Sequence, residues 1–152
     1  MEMIGWREWV SFPELKIPSI KAKVDTGART STLHAYFVEE FIRNDQLYVR
    51  FGLHPIQSRS DISVIREARV KDRRDVTDSG GHRESRYVIE TIIAFSGAVW
   101  PIEVTLTNRE NMKFRMLLGR TAMKGRFTVN PSVSFLGGRS LARAYDDQGG
   151  RK

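Results

Sequence analysis

The chain has 152 residues, of which 40% are hydrophobic and 28% charged, with a formal net charge of +7 and no cysteine. This length suits a single domain, and the lack of cysteine excludes disulfides, thiolate metal sites and cysteine nucleophiles. No apolar run is long enough for a membrane helix and the first residues lack a signal-peptide pattern, so we expect a soluble, cytoplasmic domain without membrane contact.

Most of the chain has the patterns typical of strands. Alternation of apolar and polar side chains, or β-prone composition, predicts strands at residues 20–24, 36–38, 47–51, 86–95 and 98–106. The last two are joined by Ser96-Gly97, a two-residue hairpin signal. Pro101 predicts an edge position or a bulge in the second of them. Only residues 119–125 look like a short helix, so short strands predict an all-β sandwich or barrel.

The segment 66–86 differs from its surroundings because twelve of its 21 residues are charged. It contains the run Asp78-Ser79-Gly80-Gly81, whose residue types favour a turn. Apolar strands flank the segment, which indicates a long projecting hairpin or a mobile loop. Such loops are often lids over a binding site, although a solvated insertion is equally compatible with this composition.

A predicted strand leads directly into Asp25-Thr26-Gly27-Ala28. The glycine lets the backbone turn sharply and the threonine hydroxyl can bond to a neighbouring copy of the loop, which would hold the aspartate in a cleft. Two such carboxylates in contact share one proton. One can accept a proton from water while the other protonates a peptide carbonyl oxygen. Asp-Thr-Gly alone is also a common turn, so the motif leaves a structural role open.

A second apolar strand, residues 114–118, ends in Gly119-Arg120. With the opening Gly5-Trp6-Arg7-Glu8-Trp9-Val10 and the block 20–33, which contains the Asp25 loop, the chain resembles the retropepsin-like aspartic peptidases. Within them it is similar to the bacterial and archaeal group that carries the label ATP-dependent zinc protease. The resemblance extends from the first turn to about residue 136.

The resemblance implies an all-β fold, a small closed β-barrel of the acid-protease type with one short helix. It also implies a homodimer whose active site lies on the two-fold axis, and a domain over residues 1–143 followed by a polar, flexible tail at 144–152. The site residues that it implies are Asp25, Thr26 and Gly27 for catalysis; Ala28 and, at the tip of a flap, Asp78, Ser79, Gly80 and Gly81 for substrate binding; and Gly119 and Arg120 near the dimer contact.

One position departs from the retroviral pattern. There an acidic residue follows Asp-Thr-Gly-Ala and pairs with the arginine that opens the helix, but here Arg29 occupies that position. Arg29 and Arg120 are both cationic, so this ion pair cannot be carried over. Asp78-Ser79-Gly80 is no second catalytic motif, because it follows a polar run instead of an apolar strand. One chain therefore supplies one catalytic carboxylate, and the pair requires a dimer.

The residues predict no cofactor. The three histidines, His34, His54 and His82, lack the spacing of a hydrolytic zinc site, although a site formed by Asp25 and His34 is conceivable. There is no phosphate-binding Gly-x-x-x-x-Gly-Lys-Ser/Thr sequence, so neither zinc nor ATP in the group's label is supported.

The predicted function is aspartic-type hydrolysis of peptide bonds, with acidic peptides as the preferred substrate class. The net charge of +7 lies entirely in residues 109–152, which carry ten basic and three acidic side chains. Members of the group are associated with ATP-grasp ligases that add glutamates, which implies a functional link to such a ligase.

Two alternatives remain: a non-catalytic module that binds acidic protein or nucleic acid, and a metal-dependent peptidase. The sparse aromatic residues in the basic segment argue against nucleic acid.

Overall fold

The computed structural model describes residues 1–56, 59–77, 80–108 and 113–145. Its strands are β1 (Glu2–Ile4), β2 (Arg7–Phe12), β3 (Ile17–Asp25), β4 (Ser31–His34), β5 (Phe37–Arg43), β6 (Gln46–Leu53), β7 (Val64–Arg69), β8 (Asp72–Thr77), β9 (Arg83–Phe95), β10 (Ala98–Thr107), β11 (Met116–Gly119) and β12 (Phe127–Val129). The helical elements of this described part are α1 (Arg120–Met123) and a 3-10 turn (Ser140–Arg143). The all-β prediction is confirmed, and the helix is shorter than the predicted 119–125.

Three sheets organise the strands. The largest has the order β10-β4-β11-β3-β2-β9-β8, β5-β6-β7 form an antiparallel sheet, and β1 pairs with β12 in parallel. Within the largest sheet β9 also pairs with β10 over eight residue pairs, and it meets β2 at Ser11 and Ala94. Closure of this sheet into a barrel rests on that single β2–β9 pair and stays a prediction.

The β9–β10 hairpin follows the predicted pattern. Ser96 and Gly97 have φ angles of 53° and 82°, as a two-residue hairpin turn requires. Pro101 lies where β10 pairs with β9 alone, since the pairing with β4 begins only at Val104. The predicted edge position of this proline is therefore confirmed, and the missing N–H costs the sheet little there.

Strand β11 lies between β3 and β4, which are consecutive along the chain. It runs parallel to β3, so that Gly119 is opposite Asp25, and antiparallel to β4. Its buried residues Met116 and Leu118 join the same core as Ala22 and Leu33 of the neighbouring strands. The loop between β3 and β4 consequently begins beside the end of β11.

The two faces of β3 have opposite characters. Ile20, Ala22 and Val24 are buried in the core, whereas Lys21, Lys23 and Asp25 alternate with them and are half-buried or exposed. This is the period-two pattern of a strand with one buried face. Asp25 therefore lies on the same side of the strand as the two lysines.

The charged segment forms parts of three strands, and the hairpin alternative is confirmed. Strands β8 and β9 pair from Asp72–Val88 to Thr77–Arg83, and Gly81 beyond them has a φ of +84°. The predicted tip residues Asp78 and Ser79 lie outside the described residues.

The C-terminal part packs back onto β3. Tyr145 is buried and its hydroxyl donates a hydrogen bond of 3.0 Å to the carbonyl oxygen of Ser19. Ordered structure thus includes the first two residues of the predicted tail, while 146–152 lie outside the described residues and the boundary at residue 143 stays a prediction. None of the described helices has the length and apolar character needed to span a membrane.

Candidate active site

The loop that follows β3 holds the Asp25 side chain in a defined direction. Asp25 is half-buried, and its Oδ1 accepts a hydrogen bond of 3.0 Å from the backbone N–H of Gly27. The backbone N–H of Ala28 donates to the carbonyl oxygen of Asp25 at 3.2 Å, which closes the turn. Thr26 and Gly27 are exposed, so the carboxylate is accessible at the surface of one chain.

Residues at the beginning of α1 support this loop through hydrogen bonds. The backbone N–H groups of Arg120 and Thr121 donate to the carbonyl oxygens of Ala28 and Arg29, at 2.8 and 3.1 Å. The Thr121 hydroxyl adds a second hydrogen bond to Arg29, at 2.8 Å. These bonds satisfy carbonyl groups that the sharp turn would otherwise leave without partners.

Gly119 allows this close approach. Its N–H donates to the buried hydroxyl of Ser31 at 3.0 Å. A Cβ atom at this position would lie 2.6 Å from the carbonyl carbon of Thr30 and 2.8 Å from the nitrogen of Ser31. Only glycine fits without a shift of the backbone, so the close approach of Gly119 to the Asp25 loop has a steric basis.

Arg120 has a backbone partner where the retroviral pattern would have a carboxylate. Its Nη1 donates to the carbonyl oxygen of Gly27 at 3.2 Å. The cationic Arg29 therefore does not deprive Arg120 of a hydrogen-bond acceptor. This contact adds a further bond between α1 and the Asp25 loop.

A group of cations shares the outer face of β2 and β3 with Asp25. Arg7 on β2 is paired with Lys23, and its guanidinium lies 4.6 Å from the ring centre of Trp6. Lys21 lies over Trp9 and Phe114, with its ammonium 5.8 and 5.6 Å from the ring centres. Within the described chain, Arg7, Lys21 and Lys23 form no ion pair with a carboxylate. Partial burial, followed by the nearby charges of Arg7 and Lys113, lowers the pKa of Lys21 below its usual value.

The structure brings together only some of the predicted residues. Asp25 lies opposite Gly119, and Gly27 and Ala28 accept hydrogen bonds from Arg120. Gly80 and Gly81 belong to the β8–β9 hairpin, apart from this loop along the chain. Sequence reasoning assigned no role to Ser31, Thr121 or Lys23. The alternation of lysines with core residues ahead of Asp25 was the available signal for Lys23. Nothing in the sequence marks Ser31 and Thr121 as hydrogen-bond partners.

The histidines lie in different surroundings. His34 is buried on β4, and His54 stacks on Tyr36 with its Nδ1 3.2 Å from the carbonyl oxygen of Ile62. Among the residues that the structure describes, no three histidine, aspartate or glutamate side chains are grouped to hold a metal ion.

Comparisons with known proteins identify a family and a structural neighbour. The family model for RimB-like proteins, described as the retropepsin-like aspartic endopeptidase RimB, matches residues 3–140. A crystal structure of a protein of unknown function (DUF785) from Legionella pneumophila superposes with a TM-score of 0.75 and 25% identity, covering 90% of this chain and 98% of that one.

Curated relatives carry a different name. Probable alpha-L-glutamate ligases from Shewanella pealeana and Desulfotalea psychrophila are 49% identical over 133 residues and 43% identical over 155 residues. The matches cover 88% and 99% of this chain but only 29% and 33% of those proteins. The chain therefore spans about a third of the length of these relatives.

Proposed function

Since the chain belongs to the RimB-like family of retropepsin-like aspartic endopeptidases, we propose that it hydrolyses peptide bonds with a pair of Asp25 carboxylates, one from each of two copies. The observation that carries this proposal is the Asp25 loop itself. Its carboxylate is oriented by the Gly27 N–H, and the loop is supported by Gly119 and α1.

Each chain provides one such loop, so the proposed active form is a homodimer. Two carboxylates in contact cannot both ionise, and they share one proton. The ionised carboxylate takes a proton from a water molecule while the oxygen of that water attacks the carbonyl carbon of the peptide. The other carboxyl group protonates the carbonyl oxygen. Collapse of the tetrahedral intermediate breaks the C–N bond, and the amine leaves with a proton returned by the pair. We further propose that the largest sheet closes as the barrel of this fold.

The cations near Asp25 support acidic peptides as the substrate class. Lys23 lies two residues before Asp25 on the same side of β3, and Arg7 lies beside it on β2. Neither makes an ion pair within the described residues, and the side-chain hydrogen bond of Arg7 runs from its Nε to the hydroxyl of Ser134 at 3.2 Å. Both can therefore bind carboxylates without breaking an ion pair. A peptide extended along this face would meet cations before it reached the catalytic loop.

A glutamate ligase is the proposed functional partner. The relatives that share this domain are named as probable alpha-L-glutamate ligases, and about two thirds of their length lies outside the match. A hydrolase that acts on acidic peptides would oppose a ligase that attaches glutamate. In this proposal the chain removes the glutamate residues that such a ligase attaches.

The decisive experiment replaces Asp25 by asparagine. Asp25→Asn should abolish hydrolysis of a glutamate-rich peptide, because the amide can neither share the proton nor act as a base. Asp45→Asn, an exposed residue in the β5–β6 turn, is the matched control and should retain full activity. Hydrolysis that survives in Asp25→Asn would overturn the aspartic mechanism.

A non-catalytic binding module is the second candidate, and the cations held against Trp6, Trp9 and Phe114 favour it. In that case the wild type and Asp25→Asn would bind an acidic polymer equally, with an affinity that falls steeply with salt and without turnover. If hydrolysis were instead lost with chelator and restored by zinc, the metal-dependent alternative would replace both.

A further inference from the structure

The β8–β9 hairpin leaves the main sheet at a definite point. The pairing of β9 with β10 ends at Val88, opposite Thr105. From Tyr87 to Arg83 the described residues of β9 pair only with β8. Beyond Val88 the hairpin therefore needs side-chain contacts to keep its position relative to the sheet.

Arg86 supplies such a contact. It lies two residues beyond Val88 and is only 7% exposed. Its Nε donates to Oε1 of Glu84 at 2.6 Å, and its Nη1 lies 3.3 Å from the hydroxyl oxygen of Thr32 on β4. The hydroxyl of Thr107 on β10 donates to the same Glu84 oxygen at 2.6 Å. Arg86 and Glu84 thus connect the hairpin to both strands beneath it.

The hydrogen bonds continue from Thr32 toward the catalytic loop. Because a guanidinium only donates, Thr32 accepts from Arg86 and has its own hydrogen for Thr105, at 2.9 Å. Thr105 then donates to the carbonyl oxygen of Ser31 at 3.3 Å. Ser31 is the residue whose hydroxyl accepts from Gly119, opposite Asp25. Buried hydrogen bonds therefore lead from the hairpin to the carbonyl oxygen of Ser31, the residue whose hydroxyl supports Gly119 beside the Asp25 loop.

We propose that Glu84 and Arg86 are positioning residues that anchor the β8–β9 hairpin to the strand after the catalytic loop and so set its position for substrate binding. This rests on the proposed function and on the flap over the substrate that the family resemblance implies for this hairpin. With the anchor intact, little binding energy is spent on ordering the hairpin when substrate binds. Neither residue touches the reacting atoms.

Another ion pair on the same hairpin does not share these features. Asp75 and Arg83 are 2.9 Å apart, with side chains 55% and 71% exposed. Exposed pairs of this kind contribute little. In the Glu84–Arg86 pair the Glu84 side chain is 38% exposed but Arg86 is buried, so loss of the carboxylate leaves a buried guanidinium without its ionic partner. Asp75 therefore provides a control with the same chemistry on the same element.

The experiment compares Glu84→Gln, Arg86→Lys and the control Asp75→Asn in the full chain, with a glutamate-rich peptide as substrate. Glu84→Gln should raise KM about tenfold while kcat changes less than about twofold, because the catalytic pair is intact but the hairpin must be ordered on binding. Arg86→Lys should raise KM similarly, because an ammonium cannot bridge Glu84 and Thr32 with the geometry of a guanidinium. Asp75→Asn should leave both constants unchanged.

Hydrogen exchange of the same proteins provides a readout that does not depend on activity. In Glu84→Gln the amides of residues 73–77 and 83–87 should exchange faster than in Asp75→Asn, while those of residues 25–31 stay as in the wild type. If Glu84→Gln had the same KM and the same hairpin exchange rates as the control Asp75→Asn, the proposed anchor would be overturned. It would also be overturned if Glu84→Gln lowered kcat and kcat/KM by the same factor. If the wild type hydrolyses no peptide, the proposed function fails and the exchange comparison alone decides whether the anchor exists.

Discussion

Glu8 is a single residue that connects distant parts of the chain. It is fully buried on β2, and its carboxylate accepts backbone N–H groups of Gly5, Leu136 and Gly137 at 2.8, 2.9 and 3.0 Å. The N-terminal turn and the segment before the 3-10 turn therefore meet at one side chain. These hydrogen bonds take the place of solvation for a charge that burial would otherwise make costly.

We predict that Glu8→Gln lowers the free energy of unfolding by about 1.5–3 kcal/mol, the range for hydrogen bonds to a charged group. The amide keeps one acceptor oxygen but turns an NH2 group toward backbone donors. Urea unfolding followed by circular dichroism measures the effect. Glu14→Gln, at an exposed position, is the control, and equal stability of the two variants would refute this role for Glu8.

Lys23 is the residue whose charge can be tested for substrate selection. Lys23→Glu should raise KM for a glutamate-rich peptide by about tenfold or more, because it places a like charge beside the bound carboxylates. KM for a neutral peptide should change much less. Lys16→Glu makes the same change in net charge at an exposed residue just before β3, and an equal effect there would show that only overall charge matters.

At the level of elements, the Asp25 loop depends on the fit between β11, α1 and the start of β4. We predict that Gly119→Ala lowers the free energy of unfolding by about 1–3 kcal/mol, as overpacking does, and nearly abolishes hydrolysis. The added methyl group displaces the backbone at Thr30 and Ser31, and the Asp25 loop moves with it. Thermal unfolding and peptide hydrolysis measured together test this.

Gly97→Ala is the matched control for that prediction. Gly97 has a positive φ of 82° in the β9–β10 turn, with open space around its Cα. Alanine there should cost stability through the backbone conformation while leaving hydrolysis intact. If Gly119→Ala retained activity at a temperature where it is folded, the steric account of the loop would be wrong.

A contact between β8 and β10 predicts that the stability of the fold depends on pH. Hydrogen bonds from Arg74, on β8, and Lys71 hold the pKa of Glu103, on β10, at about 2, below its usual 4.5. The ionised form is therefore favoured in the folded state. The stabilisation is complete above the unfolded pKa of 4.5 and is lost as the pH falls toward 2.

Glu103→Gln should accordingly reduce the loss of stability between pH 4.5 and 2 that the wild type shows. Unfolding midpoints measured across this range test the prediction, with Glu14→Gln as an exposed control. Identical pH profiles for wild type and Glu103→Gln would mean that the contacts with Arg74 and Lys71 do not stabilise the fold.

The elements that could be predicted from sequence are those whose signal is local. The alternation in β3 and the Ser96-Gly97 turn are set by neighbouring residues, and the Asp25 loop with Gly119 follows from a motif. Two of the three partners of Glu8, Leu136 and Gly137, could not be predicted, because they are backbone groups more than 120 residues away. The same holds for Arg120, since a backbone carbonyl acceptor has no signature in the sequence. The Glu84–Arg86 anchor joins three strands, so it could not be predicted before the order of those strands in the sheet was known.

At the level of the whole molecule, one chain contains one Asp25 loop, and the largest sheet leaves that carboxylate at the surface. If two copies share the active site, activity belongs to the pair and follows mass action. Mixing the wild type with Asp25→Asn then provides a test that needs no knowledge of the interface. An inactive partner should remove wild-type subunits from productive pairs.

We predict that an equal amount of Asp25→Asn lowers the total activity of the wild type to about half after subunit exchange, and a threefold excess to about a quarter, as random pairing requires. Native mass spectrometry of the mixture verifies the exchange, and an equal amount of an unrelated protein is the control. If each subunit acted alone, the activity would be unchanged in mixtures in which subunit exchange is complete. That result would contradict the shared carboxylate pair even if Asp25→Asn by itself were inactive, because it would place the whole mechanism within one chain.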